Sequence, residues 1–116
     1  MTTALIVLAF AQMSAAPIIS ELPDVRSISP ANAVGVLQYC EKYDLVSSAV
    51  SDGVIGSLTD NKKVATSQDY SAGQAGQILS GGKTFALAQS NTFLRSQACD
   101  LVLRQAQQLQ AKGLKP

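Results

Sequence analysis

Two cysteines, Cys40 and Cys99, are the residues of this 116-residue chain best suited to covalent chemistry. In an oxidising compartment two well-placed thiols form a disulfide, which here would stabilise the fold by roughly 4 kcal/mol by constraining the unfolded chain. Buried free thiols and a redox-active pair are the alternatives. The redox pair is the weakest of the three, because the two-residue spacing typical of reactive thiols is missing. We therefore predict a structural disulfide.

Histidine is absent from the chain, which removes the commonest general base near neutral pH and the commonest metal ligand. Serine and cysteine nucleophiles activated by histidine are excluded with it. Four aspartates, Asp44, Asp52, Asp60 and Asp69, are spaced too widely for a calcium loop, which needs ligands on alternate residues. We therefore expect no catalytic residues, no metal, no cofactor and no enzymatic activity.

The sequence Gly82-Lys83-Thr84 matches the end of a phosphate-binding loop, but Gln77 stands where that motif needs its first glycine. We interpret this stretch as a flexible turn with an exposed lysine. The net charge is only +1 and the cations are scattered along the chain, so the sequence predicts no nucleic-acid partner.

Tyrosines and a glycine-rich segment are the features best suited to contacting a partner. Residues 70–85 hold four of the eight glycines, so backbone freedom is concentrated there. Exposed tyrosine rings provide contact area, although such rings more often pack beside a core with the hydroxyl in water. The predicted contact surface consists of Tyr39, Tyr43, Tyr70, Gly73, Gly76, Lys83 and Phe85.

Helical periodicity dominates the elements that carry these residues. Ser29 and Pro30 are typical of a helix start and predict a helix over 30–43, followed by helices over 48–58 and from Asn91 or Thr92 to 112. Residues 64–69 show no clear period, and residues 75–79 are expected to form one or two helical turns. The first helix should carry Cys40 on its inner face and Asn32, Gln38, Glu41 and Lys42 on its outer face.

No alternation of apolar and polar residues is long enough to indicate a sheet, so we predict an all-α fold. The fold is a small bundle of three to five helices with a glycine-rich loop, stapled by one disulfide.

The first sixteen residues carry no charged side chain and contain the apolar run 4–11, which is typical of a secretory signal peptide. The run is far short of the roughly 20 apolar residues that span a bilayer, so we expect no permanent membrane span. No cation precedes the run, so we expect this leader to be incomplete at its start. A buried N-terminal helix is the alternative.

The chain then divides into a signal peptide at 1–16, an extended lead-in at 17–28, a helical domain at 29–112 and a tail at 113–116.

Three blocks of the sequence, taken together, carry a resemblance to a known protein family. They are AVGVLQYC at 33–40, the glycine-rich segment at 70–85, and CDLVL at 99–103, together with nearby residues. In these blocks the chain resembles the YjjA-like family of small exported bacterial proteins, a domain of unknown function. The resemblance spans about residues 32–109 and implies export to the periplasm and a small, mostly helical fold. It implies no activity.

The function predicted from these observations is that of a non-enzymatic binding or accessory factor of the cell envelope. We expect a periplasmic or secreted monomer whose partner is an unknown envelope protein or ligand. The alternatives are an envelope-stress chaperone and, less favoured, a small hydrolase or thiol-redox protein.

Overall fold

The structure is a computed structural model that describes residues 21–59 and 62–113. In these ranges the chain forms five α-helices, one short 3₁₀ helix and a two-stranded antiparallel sheet. The predicted signal peptide, the first residues of the lead-in and the last residues of the tail lie outside the described residues. The elements are α1 (Pro30–Lys42), α2 (Ser48–Leu58), α3 (Lys62–Thr66), α4 (Gln68–Gln74), β1 (Gln77–Ser80), β2 (Lys83–Ala86), the 3₁₀ helix (Leu87–Gln89) and α5 (Thr92–Gly113).

Helix α1 lies at the centre of the fold. The Ser29 hydroxyl accepts the N–H of Asn32 and caps the helix, and Pro30 stands in the first turn, where it leaves no hydrogen bond unmade. The predicted helix is therefore confirmed. Buried residues lie on several sides of α1, because helices α2, α4 and α5 all pack on it. The fully buried side chains on α1 include Ala33, Val34, Val36, Leu37 and Cys40.

The prediction that Asn32 faces outward is wrong. Asn32 is fully buried, since α4 and β1 cover this side of α1. An asparagine in such a place must have its amide satisfied by hydrogen bonds, and this side chain makes three.

Helices α1 and α4 approach so closely that glycine is required on both sides. A Cβ added at Gly35 would collide with the carbonyl oxygen of Tyr70, and one added at Gly73 would lie 2.6 Å from the backbone of Asn32 and Val36. Such distances are too short for any side chain. The glycines of this crossing therefore serve backbone packing.

The disulfide between Cys40 and Cys99 joins α1 to α5, as predicted. The two Cα atoms lie 6.0 Å apart, and neither cysteine is exposed to solvent. The bond closes a span of 59 residues and holds the longest helix against the central one. Buried neighbours on α5 continue this contact at Ala98, Val102 and Ala106.

The glycine-rich segment is ordered differently from the prediction. Residues 77–80 form β1 instead of a helical turn, and β2 pairs with it in an antiparallel hairpin. The turn is made by Gly81 and Gly82, whose φ angles of 60° and 76° suit the two-residue turns that favour glycine. The fold is therefore mostly helical with a small sheet, and the predicted all-α class and glycine-rich loop are corrected to that extent.

Short helices also form where the sequence shows no period. Helices α3 and α4 divide residues 62–74 between them, each too short to display an amphipathic stripe. The described part of the lead-in packs onto the domain through Val25 and Ile28, both of which are buried.

Candidate functional site

The predicted contact residues at the end of α1 form a small aromatic cluster. The rings of Tyr39 and Tyr43 lie 4.7 Å apart between centroids at an angle of 48°, and the Nζ atom of Lys42 lies 5.7 Å from the Tyr43 centroid. Tyr43 is half-exposed, at 52%. It is therefore the one tyrosine of this cluster with a large surface for an incoming partner.

Tyr70 is tied to α1 by a polar cluster at the surface. Its hydroxyl donates to Oε1 of Gln38 at 2.9 Å, and the amide of Gln74 donates to both of these oxygens. The ring is only partly exposed. This arrangement joins α1 to α4 and gives Tyr70 a structural role.

Three of the predicted contact residues are buried. Gly73 lies in the helix crossing, Gly76 lies under the Tyr39 ring, and Phe85 is 8% exposed in the core. In this conformation the two glycines offer no side chain to a partner, and little of Phe85 is exposed. Lys83, in contrast, is exposed at the start of β2.

The hairpin has two edges, and the amide of Asn32 covers one of them. Its Oδ1 accepts the N–H of Leu79 at 2.8 Å, and its Nδ2 donates to the carbonyl of Gln77 at 2.9 Å. The same Nδ2 donates to the carbonyl of Asp69 at 3.0 Å. The outward-facing backbone groups of β1 are thereby satisfied within the molecule.

In the described part of the chain, nothing covers the outer edge of β2 in this way. The Leu87 N–H donates to the Gly76 carbonyl at 2.8 Å. In the register of the hairpin, this bond shows which residues of β2 direct their backbone groups toward β1 and which direct them outward. With that alternation, the N–H and C=O of Thr84 and the N–H of Ala86 point away from β1. Within residues 21–59 and 62–113, these three groups have no hydrogen-bond partner. Thr84 is exposed to solvent.

A groove of about 290 Å³ opens between the hairpin and the lead-in. Its floor is apolar and includes Ile78 and Phe85, a cross-strand pair whose side chains share one face of the sheet. The 42% exposed Leu22 forms part of its wall. Charged residues at the groove are Glu21, Asp24 and Lys83.

The charge of Asp24 is fixed by its neighbour. Arg26 donates two short hydrogen bonds to the carboxylate, at 2.7 and 3.0 Å, and these bonds lower the pKa of Asp24 to about 2. The carboxylate therefore stays ionised at every physiological pH. Both side chains are exposed, so this pair shapes the surface charge of the groove and adds little to stability.

A second carboxyl group lies between α1 and α2. Oε2 of Glu41 is buried and has no hydrogen-bond partner among the described residues. Burial is the main cause that raises the pKa of Glu41, and the nearby Asp52 carboxylate adds to it, whereas the Ser51 hydroxyl opposes it. The group is positioned by helix packing and faces no described groove.

Two further large apolar side chains are exposed, each near the start of a helix. Val50 at the start of α2 and Phe93 at the start of α5 are 46% and 68% exposed. Among the described residues there is no group of three or more metal-ligating side chains. No helix in the described ranges has the length and apolar character to cross a membrane.

Comparison with known proteins identifies the family. The chain belongs to the family described as "Protein of unknown function (DUF2501)", whose model matches residues 43–109. It is also similar to a protein named "Alcohol dehydrogenase, 15 kDa subunit" from Gluconobacter oxydans (strain 621H). The two are 37% identical over 90 residues, which cover 72% of this chain and 67% of that protein. This match confirms the prediction that the chain belongs to a domain of unknown function.

Sequence reasoning missed the residues that distinguish the two hairpin edges. The sequence predicts an outward-facing Asn32, and Thr84 stands out in it only as the end of a phosphate-loop motif. The one sequence signal for the hairpin is the pair Gly81-Gly82, which is typical of a two-residue hairpin turn. No sequence signal identifies Asn32 as the cover of β1.

Proposed function

We propose that this protein is an exported, non-enzymatic accessory subunit that binds a larger envelope polypeptide, an alcohol dehydrogenase. The observation that carries the proposal is the 37% identity over 90 residues with a protein named as the 15 kDa subunit of such an enzyme. The aligned part includes 72% of this chain, so the likeness is not limited to one motif.

Export is supported by the disulfide and by the apolar, uncharged residues 1–16. Disulfides persist in oxidising compartments and are rare in the reducing cytosol. The resemblance to the YjjA-like family of exported proteins, carried by residues 33–40 and 99–103 among others, agrees with this location. A periplasmic or secreted subunit is the form that these observations favour.

An accessory role is supported by what the side chains can do. The chain has no histidine, and both of its cysteines are buried in one disulfide, out of reach of an exchanging thiol. The groove beside the hairpin carries an aspartate that stays ionised beside its arginine, so that carboxyl does not act as a proton donor near neutral pH. These features suit a protein that binds through its surface.

The proposal is tested by deleting the gene in the organism that encodes it and assaying alcohol oxidation in the envelope fraction. We expect alcohol-dependent reduction of an artificial electron acceptor to fall, and a plasmid copy of the gene to restore it. A copy that lacks residues 1–16 is the matched control and should fail to restore it. Unchanged alcohol oxidation in the deletion strain would contradict the proposal.

A further inference from the structure

The two edges of the hairpin are unequal, and the difference lies in their backbone hydrogen bonds. On β1, Asn32 supplies both an acceptor and a donor to the strand, as a neighbouring strand would. On β2, three backbone groups of Thr84 and Ala86 have no partner among the described residues. Among the residues that the structure describes, one edge is closed and the other is open.

We propose that the open edge of β2 binds an extended segment of the partner polypeptide, which adds to the hairpin as a third strand. This inference rests on the accessory role proposed above and specifies how the partner is held.

The chemistry of the edge determines the class of ligand. A donor and an acceptor on Thr84, with a further donor two residues along the same edge, match the repeat of an extended polypeptide backbone. A helix has its backbone groups bonded internally and could not satisfy them. Because these groups are backbone atoms, they contribute affinity without regard to the partner's sequence.

The groove beside the hairpin adds selectivity. Side chains of an added strand alternate between the two faces of the sheet, and one face carries Ile78 and Phe85 at the floor of the groove. An apolar side chain of the partner segment fits there, against the exposed Leu22. The cation of Lys83, at the turn end of β2, favours an acidic residue beside it on the partner strand.

The same lysine discourages a second copy of this chain from pairing at this edge. Two β2 strands brought edge to edge would place two Lys83 cations on one small sheet, and a charged residue on a short edge strand is a common device against self-association. A partner segment with an acidic residue beside Lys83 avoids this repulsion between two cations. Charge complementarity therefore favours a different polypeptide over self-pairing.

Hydrogen exchange at single amides tests the inference on the full chain, alone and in complex with the alcohol dehydrogenase purified from the organism's own envelope. In the isolated chain we expect rapid exchange at Thr84 and Ala86 and slow exchange at Leu79, whose N–H is bonded to Asn32. In the complex the first two amides should slow by about tenfold or more, and Leu79 should stay slow.

Each other outcome overturns the inference in a distinguishable way. If a complex forms and the Thr84 and Ala86 rates do not change, the edge proposal fails and the accessory role stands. If the two amides are already slow in the dilute isolated chain, the chain's own residues cover the edge. If they slow only as the chain is concentrated, a second copy covers it. If no complex with the dehydrogenase forms, both proposals fail.

A pair of variants at one position gives a second readout. Thr84→Pro removes the outward N–H while leaving the β1 bonds intact, since proline is accepted on edge strands where the lost N–H faces solvent. Thr84→Val keeps the N–H and is the control. We expect the proline variant to bind the dehydrogenase about tenfold more weakly, as one lost hydrogen bond implies, and the valine variant to bind like wild type. Equal binding by both variants would overturn the proposal.

Discussion

The side chain of Asn32 stands beside Leu79 as a neighbouring strand would. Its amide accepts the Leu79 N–H and donates to a carbonyl two residues away, so a residue of the central helix completes one edge of the hairpin. This contact links the bundle to the sheet, and it leaves the other edge as the one available for pairing with a further strand.

Replacement of Asn32 by alanine should lower the free energy of unfolding by about 3 kcal/mol. The change removes three side-chain hydrogen bonds and leaves one N–H and two carbonyls without partners in a buried region. Urea denaturation followed by circular dichroism measures it. Gln74→Ala, which removes amide bonds at the exposed surface, is the control and should cost well under 1 kcal/mol. Equal losses for the two variants would contradict the role of Asn32.

Substitution of glycine by alanine should have opposite effects at two helical positions. Gly73→Ala should destabilise the fold by about 3 kcal/mol, because the new methyl group meets the backbone of α1 at 2.6 Å. Gly53→Ala should stabilise it by about 1 kcal/mol, since nothing lies within 4 Å and alanine is the better helix former. Thermal melts of both variants measure the effects. A stabilised Gly73→Ala variant would refute the close crossing of α1 and α4.

Reduction of the disulfide should lower the free energy of unfolding by roughly 4 kcal/mol. The reason is that the unfolded chain regains the conformational entropy that a closed loop of 59 residues denies it. The measurement is urea denaturation with and without a reductant strong enough to open a buried bond. A variant with both Cys40 and Cys99 changed to alanine should have low stability that the reductant does not change. If the wild-type midpoint does not move on reduction, the bond contributes nothing to the fold.

The partly buried carboxyl of Glu41 should make the free energy of unfolding fall as the pH rises through its raised pKa. Its pKa in the folded state lies above the ordinary glutamate value, so the folded protein holds this proton more tightly than the unfolded chain. The contribution is fully present below the ordinary pKa and is lost as the pH passes through the raised value. Glu41→Gln should remove this part of the slope and be more stable than wild type at neutral pH. Stability profiles of the two proteins that run parallel from pH 3 to 7 would contradict it.

The sequence predicts the long, capped elements well and the short ones poorly. Helices α1 and α5 are confirmed close to their predicted ends, because each has a capping residue and enough length for its period to show. The strands β1 and β2 have four residues each, too few for an alternation of apolar and polar residues to stand out, so the sequence predicts helical turns over 75–79 instead.

The residues of the candidate site depend on packing between distant elements. Asn32 is buried only because α4 and β1 close over α1, and Thr84 lies at a free edge only because Asn32 covers the other edge. Neither relationship is local in sequence. Of the predicted contact residues, Tyr43 and Lys83 keep exposed side chains, whereas Gly73, Gly76 and Phe85 are used in packing.

Native mass spectrometry of the tagged chain, purified without denaturant from the envelope of its own organism, tests the accessory role most directly. We expect one complex that contains this chain and an alcohol dehydrogenase polypeptide. Within it, the chain should lack about its first sixteen residues and weigh two hydrogens less than its reduced form. A chain recovered alone from the envelope, with the dehydrogenase in a separate fraction, would contradict the account.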